Sequence, residues 1–67
     1  MLNVSLVIPL FNEAESLPEL HAWIVRVCKQ ENLSYEVLLL DDGSTDTSWE
    51  IIQGLRQQDP NVRGFRF

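Results

Sequence analysis

Basic residues are few: five Lys and Arg stand against ten Asp and Glu, giving a formal net charge of −5 over 67 residues. Arg26, Lys29, Arg56, Arg63 and Arg66 are scattered and form no stripe. Nucleic-acid binding draws much of its strength from phosphates neutralised by clustered Lys and Arg, so nucleic acid is not the expected partner. Cys28 is the single cysteine. That excludes an internal disulfide framework and fits a reducing, cytoplasmic setting. No apolar run nears the roughly 20 residues that a membrane span needs. The first residues lack the basic stretch of a signal peptide. The three glycines are Gly43, Gly54 and Gly64, so none falls in the first 42 residues. A glycine-rich phosphate loop after the first strand is thereby excluded, as is a dinucleotide fingerprint.

What is present is globular material, 45% hydrophobic, enough for one small domain near the size at which a single core is marginal. Val4 to Pro9, "VSLVIP", is a short apolar run that reads as a central strand buried on both faces and stopped by proline. "SLPE" at residues 16–19 has the spacing of a capping box, and a helix is expected from there to about Gln30. Leu17, Leu20, Ile24, Val27 and Cys28 share its apolar face. Glu36 to Leu40 is a second strand, followed by the turn "DDGST". Asp46 or Thr47 then caps a second helix, with Trp49, Ile52 and Leu55 facing inward, and Asp59-Pro60 ends it. Gly54 inside this helix suggests close approach to a strand. Val62 to Phe67 is a third strand.

The order β-α-β-α-β, with crossovers this long, predicts an α/β fold with three parallel strands in the order 3-2-1. That is half of a doubly wound, Rossmann-like nucleotide-binding sheet, in which ligands sit beyond the carboxyl ends of the strands. The segments "PLFNEAES" and "DDGSTD" both lie at that edge. Asp41 and Asp42 therefore face two readings. Asp, Gly, Ser and Thr are ordinary turn and cap residues, yet a fixed carboxylate is also a strong acceptor for a ligand N–H. The strand end "LLLDDGST" lacks the second aspartate, two positions on, of haloacid-dehalogenase-type phosphatases. In receiver domains the paired acids follow the first strand, and here that strand ends in Pro9. Asn12 is expected to bond within its own loop. His21 has no metal-ligating neighbour, and Trp23 and Trp49 read as packing residues.

"VSLVIPLFNEAESLPEL" followed by "YEVLLLDDGSTDTSWEII" resembles the N-terminal part of family 2 glycosyltransferases of the GT-A fold, in the style of polyprenyl- and dolichyl-phosphate sugar transferases. The resemblance covers essentially the whole chain, residues 1–67, as a partial nucleotide-sugar-binding domain. It implies that Pro9 and Phe11 wall the nucleotide base, with Phe11 standing where the family usually has tyrosine. It further implies that Glu13 contacts the nucleotide, that Asp42 accepts hydrogen bonds from the base edge, and that Leu40 backs the pocket. Asp41 joins this set or braces the turn. The implied partners are a nucleotide-diphosphate sugar and a polyprenyl phosphate acceptor, with the parent protein at the cytoplasmic face of a membrane. A non-catalytic nucleotide-binding module and an oligomerising interaction fragment are the alternatives.

The resemblance also implies a divalent metal, Mg²⁺ or Mn²⁺, held by an Asp-x-Asp-type motif after later strands, together with a base further on. The adjacent pair Asp41 and Asp42 lacks that spacing, and this chain supplies no catalytic residue. In the resemblance a later strand covers the free edge of "VSLVIP"; left open, that uncharged edge predicts a homo-oligomer, most simply a two-fold dimer. The 67-residue protein should accordingly transfer no sugar, with or without Mn²⁺ or Mg²⁺. Turnover by the purified chain would overturn this.

Overall fold

A computed structural model describes residues 3–67. The chain runs β1 (Val4–Leu10), α1 (Leu17–Gln30), β2 (Tyr35–Asp41), α2 (Ser48–Gln58) and β3 (Val62–Arg66). The three strands form one parallel sheet in the order β1-β2-β3, the order expected from the sequence. Both crossovers step across the sheet in the same direction. With the same hand, they place both helices on one face, where α1 packs against α2.

That single covered face corrects the expectation for β1. Leu6, Ile8 and Leu10 turn toward the helices, while Ser5, Val7 and Pro9 are exposed, and Val7 is 57% exposed. Within this chain β1 is an edge strand and β2 is central. Pro9 does not stop β1, which continues to Leu10. The reason is the parity of the ladder. Val4 N donates to Ser34 O, and Leu10 O accepts from Asp42 N, so the even residues of β1 face β2. The nitrogen of Pro9 falls on the free edge, where a missing N–H breaks no bond to β2.

The core is Leu10, Leu17, Ile24 and Cys28 packed on Val37, Leu39 and Val62, with Ile52 and Leu55 closing it from α2. Trp49 packs against this core, but Trp23 is 55% exposed. Helix α1 ends as a Schellman motif: Asn32 is left-handed (φ 57°), Leu33 N donates to Cys28 O and Asn32 N to Lys29 O. Asparagine serves at this position because it tolerates the left-handed conformation better than most residues.

The glycine expectation is corrected. A Cβ at Gly54 would meet nothing within 4 Å, so α2 does not approach a strand there. The close approach is at Gly64 on β3, where a Cβ would lie 2.5 Å from Ile52 Cγ2 and 3.4 Å from Trp49 Cζ3. Gly54→Ala should stabilise the protein by about 0.5–1 kcal/mol through reduced chain entropy. Gly64→Ala should destabilise it by about 1–3 kcal/mol through overpacking. Urea midpoints moving in opposite directions would bear out both.

At the amino end of β2 one carboxylate ties three elements together. Asp59 Oδ2 accepts from Tyr35 Oη at 2.6 Å and pairs with His21 Nε2 at 2.8 Å, while Oδ1 accepts from Asn61 N at 2.9 Å. Burial pushes the Asp59 carboxyl up, but the bonds from Tyr35, His21 and Asn61 outweigh it and hold the group below its ordinary value. Burial first, and then the bond to Asp59, push the Tyr35 hydroxyl up to about 12. Because Asp59 titrates lower folded than unfolded, its contribution is fully present above its unfolded value of about 4 and is lost as pH falls through the folded value. Asp59→Asn should flatten this part of the acid limb, read as urea midpoints between pH 7 and pH 2.

Candidate functional site: the carboxyl edge of the sheet

Both β–α loops, residues 11–16 and 42–47, emerge at the carboxyl ends of parallel strands. The second begins with the two acids. Successive residues of a strand point to opposite faces, so adjacent carboxylates at its end cannot share an environment. Asp41 turns toward the helices and is fully buried, 0% exposed, whereas Asp42 is exposed. Asp41 Oδ1 accepts from Ser44 N at 2.9 Å and so braces the turn. Gly43, at φ 77°, makes the left-handed step of that turn. Asp41 Oδ2 is buried without a hydrogen-bond partner. Arg66 is the register partner of Asp41, yet its guanidinium lies over the Trp49 ring, 5.7 Å from the centroid.

The two loops are sewn to each other. Three consecutive amides of the first loop donate to side-chain oxygens of the second loop and the first residue of α2: Asn12 N to Ser44 Oγ (2.9 Å), Glu13 N to Ser48 Oγ (2.9 Å) and Ala14 N to Asp46 Oδ2 (3.3 Å). In return, Asn12 Oδ1 accepts from Thr45 N at 2.8 Å and Asp46 N at 3.2 Å. Asn12 Nδ2 donates to Thr45 Oγ1 at 3.2 Å. Asn12 thus bonds the neighbouring loop rather than its own, from a left-handed backbone (φ 53°). Because these three amides are already bonded, the loop has no free cradle of N–H groups there for a phosphate.

The capping box expected at residues 16–19 does not form. Ser16 Oγ donates to Glu13 Oε2 at 3.0 Å, and Thr47 makes no side-chain cap. Asp46 does the capping of α2: its Oδ1 accepts from Ser48 N (2.9 Å) and Ser48 Oγ (2.6 Å). The Ser48 hydroxyl, ahead of the backbone bonds from Ser48 and Ala14, holds the Asp46 carboxyl below its ordinary value.

The residues singled out from sequence divide into three groups. Pro9 and Leu40 are register partners on the uncovered face, and Phe65 continues the same row from β3. Asp42 follows Leu40 by two residues and stands at the rim of this apolar row. Phe11, 53% exposed, and Glu13 line a hollow of about 390 Å³ with Pro9, Leu17 and Leu20 at the free edge of β1. Asp41 lies inside the fold, out of reach of a ligand from solvent. Phe65 was not legible as a site residue, because nothing in "VRGFRF" says which neighbour it pairs with. The roles of Ser44 and Ser48 were hidden likewise by their distance in sequence from their partners, Asn12 and Glu13.

The residues present do not fit a metal ion. Asp41 and Asp42 diverge across the strand, and among the described residues no group of three His, Cys, Asp or Glu side chains converges to hold one. No helix among the described residues is long and apolar enough to cross a membrane.

The family model for glycosyl transferase family 2 matches residues 5–67. Among curated proteins, the chain is 53% identical over 50 residues to an undecaprenyl-phosphate 4-deoxy-4-formamido-L-arabinose transferase of Sodalis glossinidius, covering 75% of this chain and 15% of the relative. It is 48% identical over 59 residues to the protein of that name from Photorhabdus laumondii, covering 88% of this chain and 18% of the relative. A third protein of that name, from Pseudomonas fluorescens, is 46% identical over 56 residues, covering 84% and 16%. The chain thus spans less than a fifth of the length of these relatives. A β-α-β-α-β sheet with both β–α loops at its carboxyl edge and this extent of sequence match together make the chain a member of glycosyl transferase family 2.

Proposed function

We propose that this chain forms the nucleotide-base portion of the donor site of a sugar transferase that uses a nucleotide-diphosphate sugar and a polyprenyl phosphate acceptor. One observation carries the proposal: Asp42 offers an exposed carboxylate at the rim of the open apolar row Pro9, Leu40 and Phe65, while its neighbour Asp41 is spent inside the fold. A base ring needs an apolar surface for its face and an acceptor for its edge N–H groups. Phe11, at the end of β1, adds a second ring able to stack, and Glu13 lies beside it at the mouth of the hollow. The acceptor assignment follows the names of the relatives. The diphosphate, its metal and the reacting centre fall to groups other than the residues described here.

The test is titration of the chain with UDP and GDP by calorimetry. Asp42→Asn replaces a charged acceptor by an amide and should weaken binding by about 1.5–3 kcal/mol. Asp41→Asn should change stability more than affinity. Equal affinity in the wild type and the Asp42 variant would reject the assignment.

A second copy of the chain is the proposed occupant of the β1 edge. The two free edges of the sheet differ. The β3 edge carries Arg63 and Arg66 with Arg56 beside it, while β1 has no charge and borders an apolar hollow of about 170 Å³ lined by Leu6, Trp23, Val27 and Leu33. Natural proteins guard edges that must stay free with charge. Two-fold pairing of β1 with β1 is antiparallel and gives a six-stranded mixed sheet. Sedimentation equilibrium should show a dimer, and Val7→Lys should shift it toward monomer. A wild-type monomer persisting to high concentration would refute the pairing.

A further inference from the structure

We infer that Asn12 is a positioning residue for the nucleotide base: its side chain fixes the spacing and orientation of Phe11 and Asp42 by locking the first β–α loop to the second. The inference rests on the donor-base assignment above and names what holds that site in shape. Neither wall is fixed by its own side chain. Phe11 is 53% exposed, and the Asp42 carboxylate has no hydrogen-bond partner among the described residues. Their positions are inherited from the backbone on which they sit.

One ladder bond, Asp42 N to Leu10 O at 2.9 Å, ties the start of the second loop to the end of β1; past it, Asn12 holds the two loops together. Phe11 immediately precedes it, so a change in the left-handed backbone of Asn12 swings the ring. On the other side, Asn12 Oδ1 holds Thr45 N and Asp46 N, the amides that follow the Gly43 turn carrying Asp42. The Asn12 amide nitrogen is bound to Thr45 Oγ1, and its own backbone N–H to the buried Ser44 hydroxyl. Ser44 in turn is the residue whose N–H Asp41 braces. One asparagine therefore connects the ring wall, the turn and the buried acid. A loop pair held in this way meets a ligand already ordered, and the ordering cost is not charged against binding.

The substitution Asn12→Gly keeps the left-handed backbone accessible and deletes the amide; Asn12→Asp restores the acceptor oxygen. Asp59→Asn, at the opposite end of the sheet, is a control that lowers stability without touching the loops. The probes are UDP and GDP, titrated into the full 67-residue chain, with amide hydrogen exchange measured in parallel. Asn12→Gly should lose roughly tenfold in affinity, the worth of about one net hydrogen bond. It should also lose exchange protection at Thr45 and Asp46. Asn12→Asp should recover most of both, and Asp59→Asn should bind as the wild type does. Wild-type affinity in Asn12→Gly would overturn the inference while leaving the donor-base assignment standing. Losses in all three variants that track their stability would reduce Asn12 to a structural role and also overturn it. A wild-type chain that binds neither nucleotide would defeat the donor-base assignment itself, and the positioning role with it.

Discussion

Parallel pairing is the constraint from which the rest follows. To lay a second strand beside the first in the same direction, the chain must return along the whole length of the sheet, and it does so as a helix. Two such returns in the same sense put both helices on one face and both outgoing loops at one end. The covered face then receives the core. The uncovered face keeps a row of apolar side chains, and the loop end gathers residues more than 30 positions apart in the chain, such as Asn12 with Ser44 and Glu13 with Ser48. Each feature of the candidate site is a consequence of that geometry.

The paired acids illustrate how the pleat divides labour. One strand delivers two identical side chains to two environments, and their roles separate without any difference in chemistry. Asp41 becomes internal scaffolding, with one oxygen on the Ser44 amide and the other buried without a partner. A buried, half-satisfied carboxylate is costly, and the bond from the Ser44 amide offsets part of that cost. Asp42 remains available at the surface. The opposite end of the sheet uses the same residue type for another purpose: Asp59 gathers His21, Tyr35 and the Asn61 amide, and joins α1 and β2 to the end of α2.

The sheet is finished unevenly. Its helix-covered face is tight enough that Gly64 leaves no room for a methyl group against Ile52. Its other face leaves Val7 and Phe65 about half exposed, and its β1 edge is bare of charge. Arg63 and Arg66 fall on the β3 side, so protection against association is concentrated on one edge. The asymmetry leaves β1 as the edge without charge.

The sequence by itself determined the five elements, their order, the parallel topology and the family. Those depend on local signals: apolar runs of strand length, the helical spacing of Leu17, Ile24 and Cys28, the Asp59-Pro60 stop, and two motifs on successive strand ends. Only the tertiary structure decided what depends on pairing between distant residues. It decided that Pro9 continues β1 because its nitrogen meets no partner strand, and that the tight glycine is Gly64 rather than Gly54. It also assigned the burial to Asp41 and the exposure to Asp42, and sent Asn12 to Thr45 and Asp46 instead of to its own loop. A strand end read in isolation carries no information about which of its faces the helices cover. Hydrogen bonds between residues more than 30 positions apart leave no periodic trace in the chain, and those are the interactions that shape the site.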